Sequence, residues 1–167
     1  IPKTLPDDVY ELIMERVDGR GIRIVVDAEK KLLLNVLKYH PFLIKPNNHE
    51  LGDMFGVHLS TDEEIVMYAK KLQEKGATNV LIAMAGDGAI LLTADGAHYK
   101  SPAPKGKLVN SVGAGDSMVA GFLTGCIEHS DNLEEAFYMG VATGSASAFS
   151  ENLATRPEVE ALLKTIR

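Results

Sequence analysis

Asn110-Ser111-Val112-Gly113-Ala114-Gly115-Asp116-Ser117-Met118 sets two glycines around an alanine, adds an acid, and runs into an apolar helical pattern. Met118, Phe122 and Cys126 recur on one face of that helix. Gly121 and Gly125 would let a second backbone come close. The first N–H groups of a helix have no partner inside it, and its dipole places about half a positive charge there. Gly113 and Gly115 carry no side chain to block an oxygen-rich ligand, so the segment reads as an anion hole. Asp116, held ionised beside it, could take a proton from a hydroxyl that attacks phosphorus. The hole would stabilise charge on the transferred group. The same spacing also fits an ordinary glycine loop with an acidic N-cap.

Upstream of this segment the chain alternates strands and helices. Leu5-Pro6-Asp7-Asp8 reads as a helix start, with Val9, Leu12, Ile13 and Val17 inward and Asp18-Gly19 and Gly21 as its end. Ile22 to Val26 reads as a strand ending at Asp27. A helix with Leu32, Leu33, Val36 and Leu37 inward follows, and then the strand Phe42-Leu43-Ile44, stopped by Pro46. Thr61 to Glu64 is a capping box; its helix buries Ile65, Ala69 and Leu72 and closes at Gly76. Val80 to Met84 is a third strand. This alternation argues for a mainly parallel sheet covered by helices, an α/β fold. Gly86-Asp87-Gly88 then turns the chain, Ala89 to Thr93 returns as an antiparallel hairpin strand, and Ala97 to Lys100 adds another. Beyond Gly113 the pattern is helical, with capping signals at Asp131…Glu134 and Thr155…Glu158.

A second constellation, Lys45-Pro46-Asn47-Asn48-His49-Glu50, follows a strand. Asn47 and Glu50 share one side of a helical turn and offer hard oxygens suited to Mg²⁺ or its waters. They equally fit an Asn N-cap with its capping-box Glu. Gly86 and Gly88 could admit a nucleotide or simply form a hairpin turn. The five histidines have no metal-ligand spacing, Cys126 reads as core, and Lys105 and Lys107 read as solvated.

Bulk properties narrow the class. At 167 residues, 46% apolar and 24% charged, the chain suits one compact globular domain. A net charge of −6 argues against a nucleic-acid surface. No apolar run approaches the roughly 20 residues of a membrane span, and no signal peptide is visible. A single cysteine excludes an internal disulfide framework and fits the cytoplasm. There is no P-loop and no dinucleotide fingerprint. The opening Ile1-Pro2-Lys3 lacks a Met, as a fragment or processed chain would.

Together these segments resemble the PfkB, ribokinase-like carbohydrate kinase family over essentially the whole chain. The family's Thr/Ser-x-Gly-Ala-Gly-Asp signature is matched by Ser111 to Asp116, and its Asn-x-x-Glu element by Asn47 to Glu50. Its strand–glycine turn–strand is matched by Val80 to Leu92. Within the family, Ile44 to Asn47, Met84 to Ala89, Asn110 to Gly121 and Ala148 to Ala154 resemble the fructose-1-phosphate kinase branch. The tagatose-6-phosphate kinases are the nearest competitor.

The resemblance implies ATP-dependent transfer to the 6-hydroxyl of fructose 1-phosphate, giving fructose 1,6-bisphosphate, with ATP and Mg²⁺ required. Asp116 would be the general base. Gly113 and the N–H groups of Ala114, Gly115 and Asp116 would form the anion hole, while Asn47 and Glu50 organise the metal. Lys45, Gly86 and Gly88 would border the nucleotide, with Gly144 among small residues beside the adenine. Ala83 replaces a frequent Ser or Thr. The family runs to about twice this length. The resemblance therefore implies that residues 1–167 are the C-terminal nucleotide-binding half of one kinase domain, inactive alone, lacking the N-terminal half and the lid through which such kinases dimerise. A non-catalytic nucleotide-binding module is the competing class, and it would need neither Asp116 nor Glu50.

Overall fold

Short aliphatic runs flanked by polar residues make strands that can be covered on both faces. In the computed structural model, which describes Pro6 and residues 8–167, they do so at β1 (Val25–Val26), β2 (Leu43–Ile44) and β3 (Asn79–Ala83). β2 pairs in parallel with both neighbours, Val26 opposite Ile44 and Ile44 opposite Val80. β4 (Ala89–Leu92) and β5 (His98–Ser101) complete a sheet of order β1-β2-β3-β4-β5. Only five residues join β3 to β4, too few for a parallel crossover, so the chain reverses there. The sheet is therefore mixed, as the hairpin signal predicts.

The helices are α1 (Val9–Val17), α2 (Lys30–Val36), α3 (Asn48–Phe55), α4 (Asp62–Glu74), α5 (Ala114–Glu128), α6 (Leu133–Ala148) and α7 (Arg156–Leu163). The chain divides into two compact units. One comprises the described residues up to Ile82 with Leu91–His98; the other comprises Ala83–Ile90 and Tyr99–Arg167. In the first, α4 opens on the predicted capping box and buries Ile65, Ala69 and Leu72. Asn79, only 1% exposed, donates to Phe42 O (2.8 Å) and accepts from the Ala94 N–H (3.0 Å). A buried amide with both ends satisfied fixes the entry of β3.

In the second unit α5 and α6 meet through small residues. A Cβ on Gly125 would lie 2.5 Å from Ala136 Cα, and one on Gly144 2.9 Å from Ala114 O. The Arg156 guanidinium of α7 grips both oxygens of Glu128 at the end of α5 (2.6 and 3.1 Å). Cys126 is buried, as predicted.

Several sequence expectations shift. Leu5, Asp7 and Ile1-Pro2-Lys3 lie outside the described residues. In α1 the buried residue is Met14, while Leu12 and Ile13 are exposed, because a nine-residue helix covers its neighbours over one turn only. The first strand is confined to Val25–Val26 rather than Ile22 to Val26. The cap of α6 is Asn132, accepting from the Glu135 N–H at 3.2 Å, one residue beyond the predicted Asp131…Glu134.

Gly125→Ala is expected to destabilise the protein by about 1–3 kcal/mol, since the obstructing atom is backbone and cannot rotate away. Gly86→Ala, with nothing within 4 Å of its new methyl, should stay within about 0.5 kcal/mol. Urea unfolding of both variants checks this; an unshifted midpoint for Gly125→Ala would show that the two helices need no glycine there.

Candidate active site

The start of α5 is left open by its own sequence. Gly113 occupies the N-cap in the left-handed region (φ 79°), where a Cβ would be strained, and no side chain caps the helix. The Ala114 N–H is already used, donating to Ser111 O at 3.2 Å, and the first intrahelical bond runs from the Ser117 N–H to Gly113 O at 2.8 Å. The N–H groups of Gly113, Gly115 and Asp116 have no partner among the described residues. The unpartnered donors at this helix start are therefore those of Gly113, Gly115 and Asp116, while the Ala114 N–H closes the turn.

Asp116 is the third residue of α5, not its N-cap. Its carboxylate is exposed and makes no bond among the described residues. The acidic N-cap reading of the loop is therefore not what forms. A carboxylate at this position lies near the positive end of the dipole and is free to accept from a ligand.

The loop before it is fastened. Ala148 O, at the last residue of α6, accepts from the N–H groups of both Val109 (2.9 Å) and Asn110 (3.1 Å). Asn110 Oδ1 accepts from the Val112 N–H at 3.0 Å, an Asx turn. Gly144 is buried against Ala114 and Met118. Its small size serves the approach of two helices. At φ 96° the missing side chain of Gly88 accommodates the backbone of Ser101 to Ala103. Gly86 lies in an exposed turn with open space around it.

The first unit carries the other predicted residues. Asn47 and Glu50 form the complete capping box of α3: the Asn47 N–H donates to Glu50 Oε2 and the Glu50 N–H to Asn47 Oδ1, both at 2.8 Å. This leaves Glu50 Oε1 without a partner among the described residues. Both readings of the motif are thus compatible, since the cap uses one carboxylate oxygen and fixes the direction of the other. No cluster of three or more His, Cys, Asp or Glu side chains occurs among the described residues. A hard cation would be held here by one or two side-chain oxygens with water and phosphate, as Mg²⁺ commonly is. Lys45 is buried, with its ammonium 3.0 Å from Asp27 Oδ2. Sequence reading placed both residues at strand ends but missed the pair, which only the β1–β2 register reveals.

The chain has relatives among known proteins. A model of the pfkB family carbohydrate kinases matches residues 1–160. The chain belongs to that family. A 1-phosphofructokinase of Bacillus subtilis is 52% identical over 167 residues, 100% of this chain and 54% of the relative. A D-tagatose-1-phosphate kinase of Bacillus licheniformis is 38% identical over 154 residues, covering 92% of this chain and 50% of the relative. A crystal structure from Staphylococcus aureus, provisionally assigned as a phosphofructokinase, superposes with TM-score 0.93 at 41% identity. It is covered over 54% of its length and covers 100% of this chain. The fold is the ribokinase-like α/β fold, as the signature predicts. The chain spans about half the length of the relatives it matches. The expectation of a C-terminal half is not borne out by these matches. Among the described residues no helix is long and apolar enough to cross a membrane.

Asn47→Ala is expected to cost about 1 kcal/mol of folding stability through loss of the α3 cap, and Asn47→Asp almost nothing. Denaturant titration distinguishes them; equal losses would mean that the cap does not hold α3.

Proposed function

We propose that this chain supplies the phosphoryl-transfer machinery of an ATP-dependent kinase that phosphorylates the 6-hydroxyl of fructose 1-phosphate, giving fructose 1,6-bisphosphate. The observation that carries the reading is the open start of α5, with three unpartnered N–H groups and the free carboxylate of Asp116 on one turn. The 52% identity to a 1-phosphofructokinase supports the choice of sugar.

In this reading Asp116 accepts the proton of the sugar 6-hydroxyl as its oxygen attacks the γ-phosphorus of ATP. A new P–O bond forms, the bond to the β,γ-bridging oxygen breaks, and ADP leaves with that electron pair. The N–H groups of Gly113, Gly115 and Asp116 donate to the transferred phosphoryl oxygens and stabilise their charge without reorganising. Glu50, oriented by its capping bond to Asn47, would hold Mg²⁺ through its free oxygen or through water; the ion neutralises phosphate charge. Lys45 adds positive charge for the nucleotide phosphates, and the open turn at Gly86 leaves backbone accessible on the nucleotide side. Ala83, at the end of β3, offers no hydroxyl for such a contact. Soluble phosphorylated substrates and a lone buried cysteine suit a cytoplasmic enzyme.

One second reading has a specific observation behind it. The 38% identity to a D-tagatose-1-phosphate kinase favours tagatose 1-phosphate as the alternative acceptor, ahead of the tagatose 6-phosphate expected from sequence. The hydroxyl and the mechanism stay the same.

A coupled ATP-turnover assay on the full-length protein, with fructose 1-phosphate, tagatose 1-phosphate, tagatose 6-phosphate and fructose 6-phosphate side by side, tests the reading. Fructose 1-phosphate should give the highest kcat/KM, and chelation of divalent metal should abolish turnover. Asp116→Asn should lower kcat by about 10²–10⁴-fold with little change in nucleotide affinity. Nucleotide binding with no transfer to any of the four sugars would instead mark a binding module. Because its relatives are about twice as long, the 167-residue chain alone is expected to turn over little.

A further inference from the structure

Asp27 and Lys45 stand one residue beyond the last paired residues of β1 and β2, Val26 and Ile44. The parallel register therefore sets them side by side at the carboxyl edge of the sheet, and the Lys45 N–H donates to Val26 O at 3.3 Å. That edge is where open parallel sheets bind ligands. The Lys45 side chain is 10% exposed, and its ammonium lies 3.0 Å from Asp27 Oδ2. A lysine is a strongly hydrated point charge on a flexible stem, and burying one requires a partner in place of water. The ammonium has three donors. Asp27 takes one, and the others have no acceptor among the described residues. A buried cation with spare donors is set up for an anion. The next residue, Pro46, restricts the backbone, and Asn47 then opens the α3 capping box, so Lys45 is tied at both sides.

We infer that Asp27 is a positioning residue for nucleotide binding: its carboxylate fixes the Lys45 ammonium so that the remaining donors meet a phosphate of ATP. This rests on the role given to Lys45 above. Asp27 acts through Lys45, not on the nucleotide, and its own side chain is exposed, at 36%. Water can reach the carboxylate on one side while the ammonium is sequestered on the other. The bare electrostatic alternative is that Asp27 merely neutralises a buried charge.

The two accounts separate in the full-length kinase. ADP affinity without metal is measured by calorimetry, together with KM for ATP, KM for the sugar phosphate and melting temperature. Lys45→Met should weaken ADP binding and raise KM for ATP by about tenfold, leaving KM for the sugar unchanged. Asp27→Asn should do the same, and the double variant should be no worse than Lys45→Met alone. Asp27→Glu keeps the charge but moves the carboxylate by one methylene. Positioning predicts that it binds ADP at least about threefold more weakly at an unchanged melting temperature, and this variant carries the test if Asp27→Asn does not fold. Wild-type ADP affinity in Asp27→Glu, or additive losses in the double variant, would overturn the positioning role. Unchanged affinity in Lys45→Met would instead sink the reading of Lys45 on which it rests.

Discussion

Two helices that approach at backbone distance govern the unit that holds Asp116. At Gly121, Gly125, Gly140 and Gly144 an added Cβ would collide with backbone or side-chain atoms of the opposite helix. The seam reaches Ala114, the first residue of α5, through Gly144. One helix turn later Ala148, the last residue of α6, holds Val109 and Asn110 with its carbonyl. Thus α6 fixes the start of α5 and the loop leading to it at two separate points. Interiors packed this closely do not deform continuously, so the open N–H groups sit in a frame that ligand binding need not assemble.

Among the described residues, four of the other six helix starts are closed by side chains, whereas α1 and α2, like α5, have no side-chain cap. α3, α4 and α6 close their first turns with Asn47, Thr61 and Asn132, and α7 with the Glu158 carboxylate that accepts from the Thr155 N–H at 2.7 Å. A Gly N-cap costs only a few tenths of a kcal/mol relative to these residues. The loss is small beside what the seam with α6 contributes, and it leaves donors available that a serine or asparagine would have consumed.

Much of this was legible in the sequence because it is local. The Thr61 box, the buried stripe of α4, the glycine loop and the return of β4 each depend on residues within a few positions of one another. What escaped was tertiary. Glycine signals close approach without naming the approaching atoms, and the backbone that Gly144 and Gly88 admit is visible only in the fold. Met14 replaced Leu12 and Ile13 as the buried residue of α1 because a short helix is covered only where a neighbour happens to lie. The Asp27–Lys45 pair required strand order and register, which no spacing along the chain encodes. The two readings of Asn47 and Glu50 were left open in the sequence, and the geometry shows why: both can hold at once.

That coexistence has an evolutionary edge. A chain that lost its chemistry would still be under selection to keep Asn47 and Glu50, because α3 needs its cap. Their persistence in a distant copy would therefore say little about whether that copy is active. Asp116 is in the opposite position. It supports no cap, no ion pair and no hydrogen bond among the described residues, so no such contact would protect it from drift if the proposed chemistry were lost. Under the proposed function, its survival would record continuing use.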